Sequence, residues 1–380
     1  MDWNELDDDE FRIQVREFID AYFPQRLKNH PRRIPGWSTT KEWYLALSEK
    51  GWLAPAWPRR YGGMELTPGK ILIFTAEIER AGIPRLYDMG LFMLGPILIR
   101  HGTEAQKNFY LPKILSGEHR WSQGYSEPNA GSDLASLRTK AEIVEKGFIV
   151  NGHKTWATFI DDATHMFLLA RTEPSGRKQD GISFLMVDLA SKGIKRRLIR
   201  TISGHEELGE VFFDNVFIPA DGLVGKLHAG WVVAKDLLEF ERINNGSPKL
   251  GLYALRLLSD FAQQNGLFDD PWFSKSFTKV QLDLEDQMAA YRYFSGRIRA
   301  GLPIGPEISL LKIWSTETFQ AISELFIELA GERGVESESN ASESIGALRL
   351  FYNSRPATIY SGSSEVQRDI IAKRILGLPR

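Results

Sequence analysis

A glutamate within an apolar helical pattern is the residue of this chain best suited to acid–base chemistry. Glu241 follows Leu237 and Leu238 by four and three residues, so all three side chains share one face of a helix. A carboxylate on an apolar face is desolvated, which raises its pKa towards the range of a general base. The alternative is a solvated carboxylate in a charged cluster with Glu239 and Arg242. Glu241 is therefore the candidate catalytic base.

The composition is that of an ordinary folded protein. The 380 residues include 43% hydrophobic and 25% charged residues, and the formal net charge is −2. No basic block indicates nucleic-acid binding, and no apolar stretch reaches the length of a membrane span. The acidic N-terminus has the wrong charge for a secretory or transit peptide, so we expect a cytoplasmic protein.

Several chemistries are excluded by what the chain lacks. It contains no cysteine, which excludes disulfides, thiolate catalysis and cysteine-ligated metal. No two of its seven histidines have a helical metal-binding spacing, so we expect no metal site. Neither a Gly-x-Gly-x-x-Gly sequence nor a Walker-type loop is present. Any dinucleotide would therefore be bound outside a Rossmann fold.

The apolar pattern divides the chain into three zones, and the length alone favours two or three domains. Residues 1–121 read as helical, residues 122–225 as strands, and residues 226–380 as helical again. One helical face in the first zone holds Phe11, Val15, Phe18, Ile19 and Tyr22. A long apolar stripe in the third zone holds Leu311, Trp314, Ile322, Leu325, Phe326 and Leu329.

The middle zone contains strand and turn signals at short spacing. Asn151-Gly152 predicts a hairpin turn, because both central positions of a type I′ turn need positive φ. Strands are predicted over Met166–Arg171, Ile182–Asp188 and Val211–Phe217. Their connections are too short for βαβ crossovers, which favours an antiparallel barrel or sandwich.

The final helix carries start and stop signals of its own. Ser364 forms a capping-box pattern with Gln367, which predicts a helix that starts there. Gly377 and Pro379 end it.

Three short segments carry motifs in a fixed order. They are Trp121-Ser-Gln-Gly-Tyr-Ser-Glu-Pro-Asn-Ala-Gly-Ser-Asp133, Lys154-Thr-Trp-Ala-Thr158 and Ile359-Tyr-Ser-Gly-Ser-Ser-Glu-Val-Gln-Arg368. They resemble the Thr/Ser-Glu-Pro to Ala-Gly-Ser-Asp, Lys-x-Trp-Ile-Thr and Ile-Tyr-Glu-Gly-Thr-x-Glu-Ile-Gln-Arg segments of acyl-CoA dehydrogenases. The resemblance covers almost the whole chain.

This resemblance implies an α+β fold in three parts: an N-terminal helical domain (1–121), a middle antiparallel β-domain that contacts a flavin (122–225) and a C-terminal four-helix bundle (226–380). It implies FAD as cofactor. The matching cofactor positions are Gln123, Tyr125, Ser126, Gly131, Ser132, Trp156, Thr158, Gly331, Gly362, Ser363 and Glu365. Trp156 would pack on the flavin ring, and Thr158 would lie near its hydride-accepting atom. The alternative takes the Glu-Pro and Gly-Ser-Asp residues as turns and Trp156 as a core residue.

The chain departs from the family pattern at a position expected to act on the substrate. Ser361 occupies the position at which many family members carry the catalytic glutamate. A hydroxyl cannot abstract an α proton unaided, whereas Glu241-Arg242 resembles the Leu-Glu-Arg context that holds the base of isovaleryl and long-chain members. The resemblance places Ser132, Arg242, Tyr360 and Ser361 at the acyl-CoA, with the backbone N–H near Ser361 polarising the thioester.

Two further segments depart from the family pattern. The region Ala262–Asp270 lacks the arginine of an Arg-x-x-Phe-Gly element, and Glu328–Gly334 is a degraded Gln-x-x-Gly-Gly-x-Gly stretch. Both elements normally act across a subunit interface. Such departures resemble divergent bacterial members that act on steroid side chains or dicarboxylic acyl-CoAs, some of them as mixed tetramers.

The sequence therefore predicts FAD-dependent α,β-dehydrogenation of an acyl-CoA in lipid metabolism of the β-oxidation type. Electrons would pass to an electron-transfer flavoprotein, and the chain would form a homo-oligomer or a heterotetramer with a second acyl-CoA dehydrogenase subunit. Two alternatives stay open: a non-catalytic subunit of such a heteromer, and a flavin oxidase or monooxygenase on the same scaffold.

Overall fold

Helices, strands and helices follow one another in the predicted order. The computed structural model describes residues 2–28, 35–84, 86, 89–173, 176–236, 246–335 and 346–379. The described residues hold eleven helices and one eight-stranded sheet, which confirms the mixed α+β class. Their contacts define two units, residues 1–239 and 240–380. The domain boundaries after residues 121 and 225 stay predictions.

Five helices precede the sheet. They are α1 (Asp8–Tyr22), α2 (Trp37–Lys50), α3 (Pro68–Arg80), α4 (Gly95–His101) and α5 (Glu104–Leu115). A π-helical turn, Gly90–Leu94, leads into α4. Among the described residues, no helix is at once long and apolar enough to cross a bilayer.

Helix α1 shows how local sequence sets a helix start and a buried face. The Asp7 carboxylate accepts from the N–H of Glu10, and the Glu10 side chain accepts from the N–H of Asp7, which forms a capping box. The predicted face is buried at Phe11, Val15, Phe18 and Ile19. Tyr22 was predicted on this face but is 59% exposed, since the helix ends there and Phe23 takes the buried place.

The eight strands form a single sheet in the first unit. They are β1 (Trp121–Gly124), β2 (Lys140–Val144), β3 (Gly147–Thr158), β4 (His165–Arg171), β5 (Ile182–Asp188), β6 (Ile194–Ile199), β7 (Leu208–Pro219) and β8 (Leu223–Val224). Their order is β6-β7-β3-β2-β4-β5-β8, and β1 pairs with β4. Most neighbours are antiparallel, as predicted, whereas β1 and a single residue of β2 pair with β4 in parallel.

Strand β4 lies at the centre of the packing and is buried on both faces. Phe167 and Leu169 pack into the core shared with the N-terminal helices, and Met166 and Leu168 pack into a second core within the sheet domain. This explains why the strand is a continuous apolar run without polar alternation.

The hairpin turn predicted at Asn151-Gly152 is wrong. The chain turns at Glu145-Lys146 instead, and β3 continues through both predicted turn residues. The pairing of β3 with β7 shifts register beside Gly152. A Cβ at this glycine would lie 2.4 Å from Oγ1 of Thr139, so the glycine permits a close approach rather than a turn.

A buried ion pair joins the first two motifs. The ammonium of Lys154 is fully buried in β3 and donates to Oε1 of Glu127 at 2.8 Å and to the carbonyl of Tyr125 at 3.1 Å. Burial lowers the pKa of Lys154 to about 8, against the opposing effect of Glu127. Burial raises the pKa of Glu127, but Lys154 and the hydrogen bonds outweigh it and hold that pKa below its usual value. Both groups are therefore charged at neutral pH.

Two stacked histidines fix the start of β1 against β4. The rings of His119 and His165 lie 3.8 Å apart, and Trp121 lies 4.9 Å from His165. Burial, followed by the neighbouring His119, lowers the pKa of His165 to about 4. Burial, followed by Lys113, also lowers the pKa of His119. Both rings are therefore mainly neutral near pH 7.

The second unit is built around one central helix. Its helices are α7 (Lys249–Gln264), α8 (Pro271–Arg299), α9 (Ser309–Ala330), α10 (Ala347–Ser354) and α11 (Ser364–Arg374), and α9 packs against the other four. Between the sheet and α7 lies α6, described over residues 230–236. The predicted stripe is buried at Leu311, Ile322, Leu325 and Phe326, while Trp314 and Leu329 are half-buried.

The cap of α11 lies one residue before the predicted one. The hydroxyl of Ser363 accepts from the N–H of Val366 at 3.3 Å, whereas Ser364 is the first helical residue. The side chain of Gln367 donates to the carbonyl of Gly362 at 3.4 Å instead of completing a box with Ser364. Either of the two adjacent serines has the residue type of a helix cap. Ser363 is the cap because its backbone is extended, whereas Ser364 is already helical.

Replacing Lys154 by Met should destabilise the protein by about 3–5 kcal/mol, because a buried carboxylate then loses its counter-charge. The double variant Glu127→Gln/Lys154→Met should recover part of the loss, since no charge stays buried. Urea unfolding followed by far-ultraviolet circular dichroism measures both free energies. Equal losses in the single and double variants would show that the pair does not hold the two motifs together.

The His165 pKa predicts a loss of stability in mild acid. An unfolded histidine takes up a proton near pH 6.5, whereas folded His165 does so only near pH 4. Stability should therefore fall as the pH drops from about 6.5 to about 4, by at most about 3 kcal/mol and less for a ring that is partly solvated. His165→Phe should flatten the pH dependence of the unfolding free energy, and His205→Gln serves as control. An unchanged slope in His165→Phe would contradict the assignment.

Candidate functional site

The first motif leaves the sheet through a tight turn. Gln123 lies half-buried in β1, Tyr125 is buried with its ring 6.0 Å from Phe167, and Ser126 is half-buried. Glu127 and Ala130 exchange backbone hydrogen bonds of 3.1 and 3.0 Å. Beyond this turn, Gly131 and Ser132 are exposed. The segment thus passes from buried positions to solvent within eight residues of β1.

The first and second motifs lie side by side. The carbonyl of Ser126 accepts from the N–H of Thr155 at 2.9 Å, and the carbonyl of Thr158 accepts from the hydroxyl of Ser122 at 2.9 Å. With the ion pair between Glu127 and Lys154, these bonds bring the predicted residues Gln123, Tyr125, Ser126, Trp156 and Thr158 into one part of the first unit.

Trp156 is exposed and strained. Its indole is 57% exposed, and its φ of +61° lies in the left-handed region that a bulky residue rarely adopts. The register of β3 against β7 shifts between Lys154 and Ala157, so a bulge places the indole in solvent while Ala157 is buried. The alternative reading of Trp156 as a core residue is therefore wrong.

The third motif contains a second strained residue. Ser361 has a φ of +54° and is followed by Gly362 at +84°, and Ser363 then caps α11. Tyr360 is 36% exposed. This segment thus reverses direction just before a helix N-terminus, where unpaired N–H groups favour anions.

A buried lysine supports the third motif from α9. The ammonium of Lys312 donates to the carbonyl of Ala357 at 2.6 Å and lies 5.5 Å from the ring centre of Tyr360. Burial lowers the pKa of Lys312 to about 8, against the opposing effects of Glu317 and Glu365. Lys312 was missed from the sequence, where its position between Leu311 and Ile313 in an apolar stripe was the available signal.

Glu365 lies in the first turn of α11. Its hydrogen bond to a backbone N–H, followed by the bond with Ser363, lowers its pKa below the usual value, so the carboxylate is ionised at neutral pH. Gly331, with a φ of +53°, follows the far end of α9. About 28 Å of helix separates it from Lys312 at 1.5 Å per residue. Within a single chain, Gly331 is therefore far from the third motif.

Glu241 and Arg242 lie outside the described residues. The last described turn before them belongs to α6, where the carboxylate of Asp236 lies 2.6 Å from Nε2 of His101 and 3.3 Å from Nε of Arg100. These contacts tie the end of the described part of α6 to the end of α4.

Three family models match the chain in order along its length. They describe the N-terminal domain of acyl-CoA dehydrogenase over residues 6–118, the middle domain over residues 122–216 and the C-terminal domain over residues 228–376.

Two curated relatives match over nearly their whole length. The acyl-CoA dehydrogenase IpdE1 of Mycolicibacterium smegmatis is 34% identical over 393 residues, which cover 98% of each chain. The acyl-CoA dehydrogenase FadE26 of Mycobacterium tuberculosis is 32% identical, with 98% of this chain and 97% of the relative covered.

Solved structures share the fold over the same extent. The Tcur3481-Tcur3483 steroid ACAD matches with a TM-score of 0.86 and 29% identity, covering 100% of each chain. The ChsE4-ChsE5 complex from Mycobacterium tuberculosis matches with a TM-score of 0.84 and 30% identity, covering 98% of this chain and 97% of the other. Motifs, domain models and full-length relatives agree, and this chain belongs to the acyl-CoA dehydrogenase family of oxidoreductases.

Proposed function

We propose that the chain binds FAD and removes hydrogen from the α and β carbons of an acyl-CoA thioester. The observation that carries the proposal is Trp156, an exposed indole that a bulge in β3 holds at a positive φ. Strained backbone of this kind persists where the surrounding structure enforces it, often at a ligand site. A rigid, exposed aromatic face suits stacking on another planar ring system.

The residues of the first unit fit a flavin. Trp156 supplies the aromatic face, and Thr158 supplies a hydroxyl two residues along the same strand. Ser126 supplies a further polar residue on the adjoining segment. Gln123 and Tyr125 complete this part of the proposed cofactor site. FAD, when bound, supplies the hydride acceptor that desaturation requires, and the protein supplies orientation and electrostatics.

The residues of the second unit fit the nucleotide part of FAD. The N-terminus of α11 offers N–H groups suited to phosphate oxygens. The ionised carboxylate of Glu365 suits hydrogen bonds from ribose hydroxyls. Gly362 and Ser363 form the turn through which such a group would approach the backbone.

We assign removal of the α proton to Glu241. The Ser361 hydroxyl is itself too weak a base, and the ammonium of Lys312, which lies 5.5 Å from the ring centre of the adjoining Tyr360, cannot accept a proton. A carboxylate within an apolar helical pattern has the chemistry of a general base. Arg242, next to it in the chain, is the proposed contact for the CoA thioester.

We propose that the acyl group of the substrate is bulky, such as the side chain of a steroid. One similar solved structure supports this choice, because the Tcur3481-Tcur3483 protein is a steroid ACAD. Electrons would leave through an electron-transfer flavoprotein. The chain would act in the cytoplasm, in lipid degradation of the β-oxidation type.

A specific observation also favours a second candidate, a subunit that needs a different acyl-CoA dehydrogenase chain to complete its site. Ser361 occupies the position of the family's glutamate, and Ala262–Asp270 lacks the arginine that acts across a subunit interface. The proposed assembly is then a heterotetramer rather than a homo-oligomer. The flavin measurement below separates the two candidates.

The chain purified by itself should take up FAD and show a flavin spectrum. Trp156→Ala should weaken FAD binding about tenfold, because stacking on an indole contributes about 1–1.5 kcal/mol. Trp272→Ala, which removes another half-exposed tryptophan from α8, serves as the matched control. FAD affinity is measured by quenching of flavin fluorescence. A colourless chain that binds FAD only with a second subunit would favour the heteromer, and equal affinities of the two variants would refute the role of Trp156.

Glu241→Gln should leave FAD affinity unchanged and reduce turnover by a factor of about 10² or more, the typical effect of losing a general base. Glu239→Gln is the control, since it removes a carboxylate two residues away. Anaerobic bleaching of the flavin by a set of acyl-CoAs, steroid-derived ones included, measures the rate. Bleaching of Glu241→Gln at the wild-type rate would refute the assignment.

A further inference from the structure

A short loop, residues 159–163, follows the end of β3 directly after the proposed flavin residues Trp156 and Thr158. It begins with Phe159, whose φ of +52° lies in the left-handed region that a bulky residue rarely adopts. Phe159 is buried, so this strain does not serve to expose its own side chain. Strained backbone persists only where surrounding contacts enforce it. The contacts of this loop must therefore hold Phe159, and with it the end of β3, in place.

The N–H groups of the loop bond within the loop and to the segment before β7. The carbonyl of Phe159 accepts from the N–H of Asp162 at 3.2 Å and from that of Ala163 at 3.1 Å. The N–H of Phe159 donates to the carbonyl of Glu207 at 2.7 Å. Ile160 and Ala163 are buried, so their own carbonyls also need donors.

One guanidinium donates to both of these carbonyls. Nη1 of Arg196, on the edge strand β6, bonds the carbonyl of Ile160 at 2.9 Å and that of Ala163 at 3.1 Å. The guanidinium of the next residue, Arg197, bonds the carboxylate of Glu210 instead. A charged donor makes a stronger hydrogen bond than a neutral one. Of these two adjacent arginines, Arg196 is therefore the one that bonds the loop.

The start of α2, the segment before β1 and strand β7 also contact this loop. A carboxylate oxygen of Asp162 accepts from the N–H of Trp37, the first residue of α2, at 2.8 Å. The carbonyl of Asp162 accepts from Nε of Arg120 at 2.8 Å. On β7, Gly209 makes room for the loop, since a Cβ there would lie 2.4 Å from Cγ2 of Ile160. Several elements thus hold the loop at once, as a strained conformation requires.

We infer that Arg196 is a positioning residue for the proposed flavin site, because its guanidinium holds the loop that keeps Thr158 and the indole of Trp156 in place. The carbonyl of Thr158 accepts from the hydroxyl of Ser122 in β1 at 2.9 Å, so the strand end is fixed at Thr158 and again in the loop. Without the guanidinium, Phe159 relaxes from its positive φ and the end of β3 moves with it. The identity of the ligand rests on the proposed function, whereas the hold of Arg196 on the loop does not.

Arg196→Met keeps an aliphatic side chain and removes the guanidinium. It should weaken FAD binding about tenfold, the loss expected for Trp156→Ala, because the indole is no longer held in its stacking position. Arg197→Met, which removes the same group from the next residue of β6, is the matched control and should bind FAD as wild type does. The double variant Arg196→Met/Trp156→Ala should lose about tenfold, rather than the roughly hundredfold loss of two independent effects. Quenching of flavin fluorescence measures each affinity.

Hydrogen exchange of Arg196→Met in the absence of FAD tests the hold on the loop separately. The amides of Phe159, Asp162 and Ala163 should exchange on the order of tenfold faster in this variant than in wild type, because the loop opens more often. Arg197→Met should leave these rates unchanged. Wild-type exchange rates in Arg196→Met overturn the inference, and so do a wild-type FAD affinity of this variant or additive losses in the double variant. A wild-type protein that binds no FAD refutes the proposed function instead, and the exchange rates still decide whether Arg196 holds the loop.

Discussion

The buried ion pair between Lys154 and Glu127 is the constraint on which the arrangement of the first unit depends. It links β3 to the turn that follows β1, and the carboxylate also accepts from the N–H groups of Arg138 and Thr139, just before β2. A lysine with no exposure cannot shift along the sheet without losing its contact with Glu127, so the register of β3 is set at this point. The exposed indole of Trp156 lies two residues after Lys154 in the chain.

Regular strand geometry alone would have placed Trp156 on the same face as Lys154, since side chains two residues apart point the same way. The bulge between Lys154 and Ala157 breaks this alternation and places a small residue in the core instead. A positive φ costs a non-glycine residue about 1–3 kcal/mol. Trp156 and Phe159 both have such φ values, within four residues of one another. This backbone strain therefore lies in the segment at which the flavin ring is proposed to bind.

Sequence patterns were reliable where one energetic effect dominated. Ile182–Asp188 was predicted with its observed bounds, because a short, largely apolar run is typical of a strand covered on both faces. The turn prediction at Asn151-Gly152 was wrong because the glycine is required by a close contact with Thr139, thirteen residues away in the chain, and no local sequence signal indicates that contact. The positive φ of Trp156 could not be predicted either, since it results from tertiary packing around Lys154. Glu241 was identified from its spacing to Leu237 and Leu238 and from the resemblance to the Leu-Glu-Arg context, and it stays a prediction.

The serine at position 361 changes the electrostatics of the third motif. Lys312 lies beneath this segment with a neutral carbonyl as its hydrogen-bond partner, and the nearby Glu317 is itself paired with Arg368 at 2.8 Å. Burial therefore outweighs the nearby carboxylates and lowers the pKa of Lys312 to about 8. A glutamate at 361, as in the family motif, would add a negative charge to this segment and favour the charged ammonium. With serine, position 361 itself supplies neither that charge nor a carboxylate base. Proton removal then requires a carboxylate from another element, which is the physical reason for assigning it to Glu241.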